Sequence, residues 1–104
     1  MKSAIIACAV LSLCVGGCVI SAVDAVEHGK QVYAAQKCSM CHSISGVGGK
    51  RLALDGVGSK LKPAEMQKWI RTPKEMKPNT TMKAYPNLPE KDLEALTSYL
   101  LSLK

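Results

Sequence analysis

Apolar and polar residues follow different patterns along the chain, and each pattern predicts a different kind of structure. VEHGKQVYAAQKCSMCH places Val26, Val32 and Tyr33 on one helical face, and Ala34-Ala35 favour a helix that runs into the cysteine pair. The next stretch, SGVGGKRLALDGVGSKL, holds five glycines between Gly46 and Gly58 and reads as an irregular loop. Pro63 suits the first turn of a second helix, PAEMQKWIRT, in which Met66, Trp69 and Ile70 share one side and Pro73 sets the end. Pro73, Pro78, Pro86 and Pro89 then disfavour both helix and sheet across residues 73–89. In the last segment, LPEKDLEALTSYLLSLK, Leu93, Leu96, Leu100 and Leu103 form a stripe. Glu90 and Asp92 fall in its first turn, where the helix dipole favours anions. No strand and no repeat stand out. The expected architecture is all-α, about three helices joined by long loops, and loops that long need something to pack against.

The N-terminal pattern is of another kind. From Ala4 to Val23 the run AIIACAVLSLCVGGCVISAV has no charged side chain, and Lys2 precedes it, which is the outline of a secretion signal. The run is also about as long as a membrane span. Gly16-Gly17 interrupts it, and small residues at Val23 and Ala25 suit signal peptidase. VGGC, Val15 to Cys18, resembles a lipoprotein cleavage box with Cys18 as the lipidated residue. Cleavage, lipidation and a retained anchor all place the following domain outside the cytoplasm. Residues 1–25 are therefore expected to be a signal peptide or anchor, and residues 26–104 the folded domain.

This division changes the meaning of the cysteines and charges. Three of the five cysteines, Cys8, Cys14 and Cys18, lie in the apolar run, leaving Cys38 and Cys41 in the domain. One close pair is not a disulfide scaffold, which uses several bridges at longer spacing. Trp69, Tyr33, Tyr85 and Tyr99 are the whole aromatic complement, so a domain this small gains much from a cofactor that completes its core. The net charge is +6, and all but Lys2 of the basic residues follow Ala25. A solvated surface accounts for that excess, and a positive face that steers an acidic partner is its functional counterpart. Nucleic acid fits poorly, because no basic run is interleaved with aromatics.

The chemistry concentrates in KCSMCHSI, Lys37 to Ile44. Cys-x-x-Cys-His is the attachment signature of c-type haem. Cys38 and Cys41 would form thioethers to the porphyrin, with His42 beneath the iron. A dithiol oxidoreductase would need a βαβ context, and zinc would need further ligands where only His28 remains. A plain disulfide beside an incidental histidine is the bland alternative. Haem accounts for more of the chain than any of these. A sixth ligand would then come from Met82 or Met76 in the proline-rich segment, with Met82 ahead. A thioether on a stiffened loop meets the iron at low entropic cost, and Met/His ligation raises a carrier's potential. Met40 sits inside the attachment motif, and Met66 reads as core.

In order along the chain, Gly29 and Tyr33 before the motif, LDGVGSKL, a helix ending WIRTP, MKAYPNLP and the closing helix DLEALTSYLLSLK resemble a class I c-type cytochrome over Val26 to Lys104. The resemblance implies a small cytochrome c fold wrapped around one covalent haem c, with Met82 as distal ligand and Trp69 reaching a haem propionate. It also implies that Gly29 and Tyr33 meet Leu96 and Tyr99 where the first and last helices cross. One departure stands out. The family usually has Gly-Pro before Leu-Asp-Gly, and the proline carbonyl takes the hydrogen bond from the ligand histidine. Those positions are read here as Leu52-Ala53, which makes Ala53 the expected acceptor for His42.

The expected function is electron transfer between redox proteins outside the cytoplasm, with no substrate chemistry of its own. The site would lie in the periplasm or on the outer face of the cytoplasmic membrane, and the partners include a membrane oxidoreductase or oxidase. Contact with the membrane itself would come only through a retained or lipidated N-terminus. A haem sensor in which Met82 dissociates, or a haem subunit of a larger redox complex, is the alternative.

Overall fold

The computed structural model describes residues 22–104. Helix α1 spans Ala22–Ala35 and is followed by a single 3₁₀ turn, Cys38–Met40. Strands β1 (His42–Ile44), β2 (Val47–Gly48) and β3 (Leu52–Ala53) come next. Helices α2 (Val57–Lys60), α3 (Pro63–Arg71), α4 (Pro73–Met76) and α5 (Glu90–Leu101) complete the fold. The apolar run from Ala4 lies outside the described residues except at Ala22 and Val23, so its cleavage, lipidation or retention has no structural counterpart here. The expected boundary between Ala25 and Val26 falls inside α1. Among the described residues, no helix is long and apolar enough to cross a membrane.

The core is the meeting of α1, α3 and α5. Val32 and Tyr33 from α1, Met66 and Ile70 from α3, and Leu93, Leu96, Tyr99 and Leu100 from α5 are all buried, with Leu54 and Leu88 added from the connections. The leucine stripe read from the sequence is thus the buried face of α5, although its last member, Leu103, lies beyond the helix and is half-buried. α1 and α5 touch at Gly29, where an added Cβ would overlap the Ala95 carbonyl and come within 2.7 Å of the Tyr99 Cβ. That close approach lets the Tyr33 and Tyr99 rings meet edge to face, 5.6 Å apart at 65°. His28 on α1 and Asp92 on α5 join the same two helices at the surface, 3.1 Å apart.

Several connections carry more structure than their sequence suggested. The described residues hold five α-helices rather than about three, because α2 and α4 are single turns inside segments read as loops. Pro73 ends α3 and also opens α4, where its fixed φ and missing N–H cost nothing. The glycine-rich stretch forms a three-stranded sheet in the order β2-β1-β3. β1 and β2 are antiparallel, pairing Ile44 with Val47 across Ser45-Gly46. Both turn residues have positive φ, 52° and 81°, the handedness that matches strand twist in a two-residue hairpin. β1 and β3 run parallel, pairing His42 with Leu52. Strands of two or three residues are too short to show a period of two, so the sequence pattern missed them.

Candidate functional site

α1 does not continue into the cysteines as its composition suggested. Lys37 adopts a left-handed conformation, φ 60°, and redirects the chain into the 3₁₀ turn. The Cys41 N–H donates to the Cys38 carbonyl at 3.2 Å, closing an i to i+3 ring. Residues three apart are neighbours in that geometry, so the ring brings Cys38 and Cys41 together. Both are free, Cys38 half-buried against the core and Cys41 exposed. Burial pushes the Cys38 thiol up to about 11, its backbone hydrogen bond lowers it and the neighbouring Cys41 adds to the rise. A dithiol oxidoreductase needs the opposite, a thiolate at neutral pH.

The sheet fixes the histidine beyond the cysteines. The Gly49 N–H donates to the Ser39 carbonyl at 2.8 Å and the Arg51 N–H to the Cys41 carbonyl at 3.0 Å, tying the cysteine turn to the glycine-rich loop. His42, in β1, has its Nδ1 3.1 Å from the Leu52 carbonyl. A carbonyl only accepts, so Nδ1 carries the proton and the lone pair of the neutral ring sits on Nε2. Hydrogen bonds of this kind hold a ligand ring in one tautomer and orientation. The acceptor is therefore Leu52 and not Ala53. The parallel register puts Leu52 opposite His42 and Ala53 opposite Ser43. The dipeptide that stands in place of Gly-Pro is accordingly Arg51-Leu52, one residue earlier than the sequence led us to expect.

The methionine side is built by the loop after α4. Met82 is half-buried there, and it borders a cleft of about 420 Å³ together with Pro73, Lys74, Ala84 and Pro86. Met76 is the last residue of α4 and is also half-buried. Two threonines precede Met82. The Thr80 hydroxyl accepts the Met82 N–H at 3.2 Å, and its carbonyl accepts from Lys74 Nζ at 3.0 Å. Thr81 Oγ1 accepts from Arg51 Nη1 at 3.0 Å, which joins this loop to the histidine side. Tyr85 closes the far end: its N–H donates to the Ile70 carbonyl at 2.9 Å and its hydroxyl to the Gln36 carbonyl at 3.1 Å.

Trp69 is half-buried on α3, while its neighbours Met66 and Ile70 are buried. Its indole N–H has no protein partner among the described residues, so it is open to an external acceptor. Tyr33 holds a second unsatisfied group, a buried hydroxyl with no hydrogen bond. Burial, with smaller effects from Cys38 and Tyr99, pushes its pKa up to about 12. Sequence reasoning missed Leu52, Arg51 and Thr81. Leu52 was recoverable by counting back from Leu54-Asp55-Gly56, whereas a surface arginine and a threonine thirty residues apart carry no local signal.

Two thiols in one turn and an imidazole with Nδ1 occupied and Nε2 free fit a covalently held haem, and Met82 offers a thioether on a second loop, bordering a cleft that His42 and the cysteines do not line. These are the features of a c-type haem domain. A family model described as cytochrome c matches residues 26–104, and the chain belongs to that family. Family membership implies covalently bound haem c within a small helical fold that wraps it. The cytochrome c oxidase subunit 2 of Alkalihalophilus pseudofirmus is 35% identical to the chain, over 75% of its length. The chain spans about a quarter, 25%, of that relative.

Proposed function

We propose that the chain is an exported monohaem electron carrier that delivers or accepts electrons without substrate chemistry of its own. Cys38 and Cys41 would hold the haem through thioethers, with His42 Nε2 and the Met82 sulfur as axial ligands. The haem supplies an iron that cycles between Fe(III) and Fe(II). The observation that carries the reading is the His42 Nδ1 hydrogen bond to the Leu52 carbonyl, because it leaves Nε2 free in the residue that follows the second cysteine. With His42 and Met82 both holding the iron, no position would be left for a substrate, which favours outer-sphere transfer. Trp69, with its indole N–H unpartnered, would donate to a propionate.

The partner we propose is a membrane oxidase of acidic docking surface. The relative in A. pseudofirmus carries the matching sequence within an oxidase subunit, which supports such a partnership. Lys50, Arg51, Lys74, Lys77 and Lys83 are exposed on the two segments that flank the site, a charge that would speed encounter and be screened by salt. The apolar N-terminal run supports export to the periplasm or the outer membrane face.

The test is the optical spectrum of the purified protein after denaturation and solvent extraction. Haem should stay with the chain in wild type and be lost from a Cys38→Ala, Cys41→Ala double variant. Met82→Ala should keep haem but bind carbon monoxide in the reduced state much faster than wild type. A wild-type protein from which the haem extracts freely would end the proposal.

A further inference from the structure

The two sides of the site meet through one residue. Arg51 lies where its backbone and its side chain act on opposite halves. Its N–H donates to the Cys41 carbonyl at 3.0 Å, and the next carbonyl, Leu52, holds His42 Nδ1 at 3.1 Å. Its guanidinium donates to Thr81 Oγ1 at 3.0 Å, and Thr81 immediately precedes Met82. Among the described residues this is the one hydrogen bond between residues 38–54 and the loop 77–89. The other hydrogen bonds that hold the methionine loop are those of Lys74 to the Thr80 carbonyl and of the Met82 N–H to the Thr80 hydroxyl, and beyond the ligand those of Tyr85 to the Ile70 and Gln36 carbonyls and of Arg71 to the Pro86 carbonyl.

We propose that Arg51 is a positioning residue for the distal ligand, a strap that keeps the Met82 loop closed over the site while its backbone braces the His42 side. The proposal rests on the axial roles given above to His42 and Met82. Geometry makes the strap effective. The backbone of Arg51 is anchored at Cys41, one residue from His42, so the guanidinium is attached to the half of the site that does not move with the methionine loop. Thr81 is adjacent to Met82, so tension on its hydroxyl is passed to the ligand through a single peptide unit. Thr80, on the other flank, is held by Lys74 of α4. Met82 is therefore pinned from both halves, and releasing one pin frees the loop to swing on the other.

The size of the effect follows from exposure. Arg51 and Thr81 are both exposed, so the bond sits at the low end for a charged donor, and its loss corresponds to a roughly fivefold gain in the open loop population. The role makes a prediction that ordinary surface stabilisation does not. The loop would open more often while the fold, held by α1, α3 and α5, stays formed.

The experiment measures imidazole binding to the purified ferric holoprotein, which requires Met82 to leave the iron. A neutral probe is used so that the charge of Arg51 does not alter its approach. Arg51→Leu and Thr81→Val should each bind imidazole about fivefold faster than wild type, and the double variant no faster than either single. Arg51→Lys, which keeps a donor on a shorter reach, should fall between. The melting temperature should fall by no more than about 5 °C in each, so the fold stays fully formed at the assay temperature. Unchanged rates in both single variants, or a double variant in which the two effects multiply, would overturn the strap. Met82→Ala is run beside them. If it too binds imidazole no faster than wild type, the axial role of Met82 fails and the strap with it. A response to Met82→Ala with none to Arg51→Leu or Thr81→Val sinks the strap alone.

Discussion

Gly29→Ala tests the crossing on which the whole site hangs. Helix propensity alone predicts that the change stabilises α1 by about 1 kcal/mol. The structure predicts the reverse. The new Cβ would meet the Ala95 carbonyl, which is helix backbone and cannot rotate away, and lie 2.7 Å from the Tyr99 Cβ. α1 and α5 must then separate, which loosens the edge-to-face contact of Tyr33 with Tyr99 and the packing of Val32 and Leu96 behind it. Overpacking of a well-filled contact costs about 1–3 kcal/mol, and an unyielding backbone partner places this site at the upper end. After the propensity gain the net loss is about 2 kcal/mol, or roughly 10 °C in melting temperature for a domain of this size. Thermal unfolding of the haem-loaded protein, followed by far-ultraviolet circular dichroism, measures it. Ala34→Gly on the exposed face of α1 calibrates the propensity term, with an expected loss of about 1 kcal/mol. A higher melting temperature in Gly29→Ala than in wild type would refute the close approach.

Three further outcomes follow from the site. Tyr33→Phe removes a buried hydroxyl without a partner and keeps the ring contact, so urea unfolding should show a gain of about 1 kcal/mol. The Tyr33 phenol ionises near 10.0 when unfolded and about 12 when buried, so its contribution to stability is complete below pH 10 and lost as pH rises towards 12. Unfolding curves across that window should fall less steeply in Tyr33→Phe. Gly49→Val would drive a side chain into the Met40 carbonyl and within 2.8 Å of the Cys41 carbonyl carbon. It should cut the yield of covalently retained haem severalfold, read by haem staining against total protein, while an equivalent change at exposed Gly46, Gly46→Asn, which tolerates its positive φ, should not. Finally, the rate of electron delivery to an acidic oxidase should fall with ionic strength, and Lys50→Glu combined with Lys77→Glu, two exposed positions beside the site, should flatten that dependence, as stopped-flow traces would show.

The legible parts of this protein were those written in residue type at short range. Cys38, Cys41 and His42 stood out as a candidate site because they sit in nearly adjacent positions, although their spacing alone left haem, zinc and dithiol chemistry open. The long helices were readable because α3 and α5 repeat their apolar residues often enough to reveal a period. Gly29 and Tyr33 were readable only through resemblance. What escaped was structure built from backbone. A two-residue hairpin turn at Ser45-Gly46 and strands of two or three residues leave no periodic trace, yet they decide that Leu52 and not Ala53 faces His42. One residue of error in a parallel register moves the acceptor to the wrong carbonyl, because successive carbonyls point to opposite sides.

That same backbone construction explains how the histidine finds its acceptor without a proline. A carbonyl acceptor needs position, not a particular side chain. Here position comes from the sheet: Arg51 and Leu52 both donate their N–H groups to the Cys41 carbonyl, at 3.0 and 3.4 Å, and the Leu54 N–H donates to the Ser43 carbonyl at 2.8 Å. Bonds on both sides of the Leu52 carbonyl fix its direction, as a proline ring would by fixing φ. Freed from a Gly-Pro pair, the first position can carry a long side chain, and Arg51 uses it to reach Thr81. The segment that braces the histidine thus also carries an arm that reaches the loop of Met82.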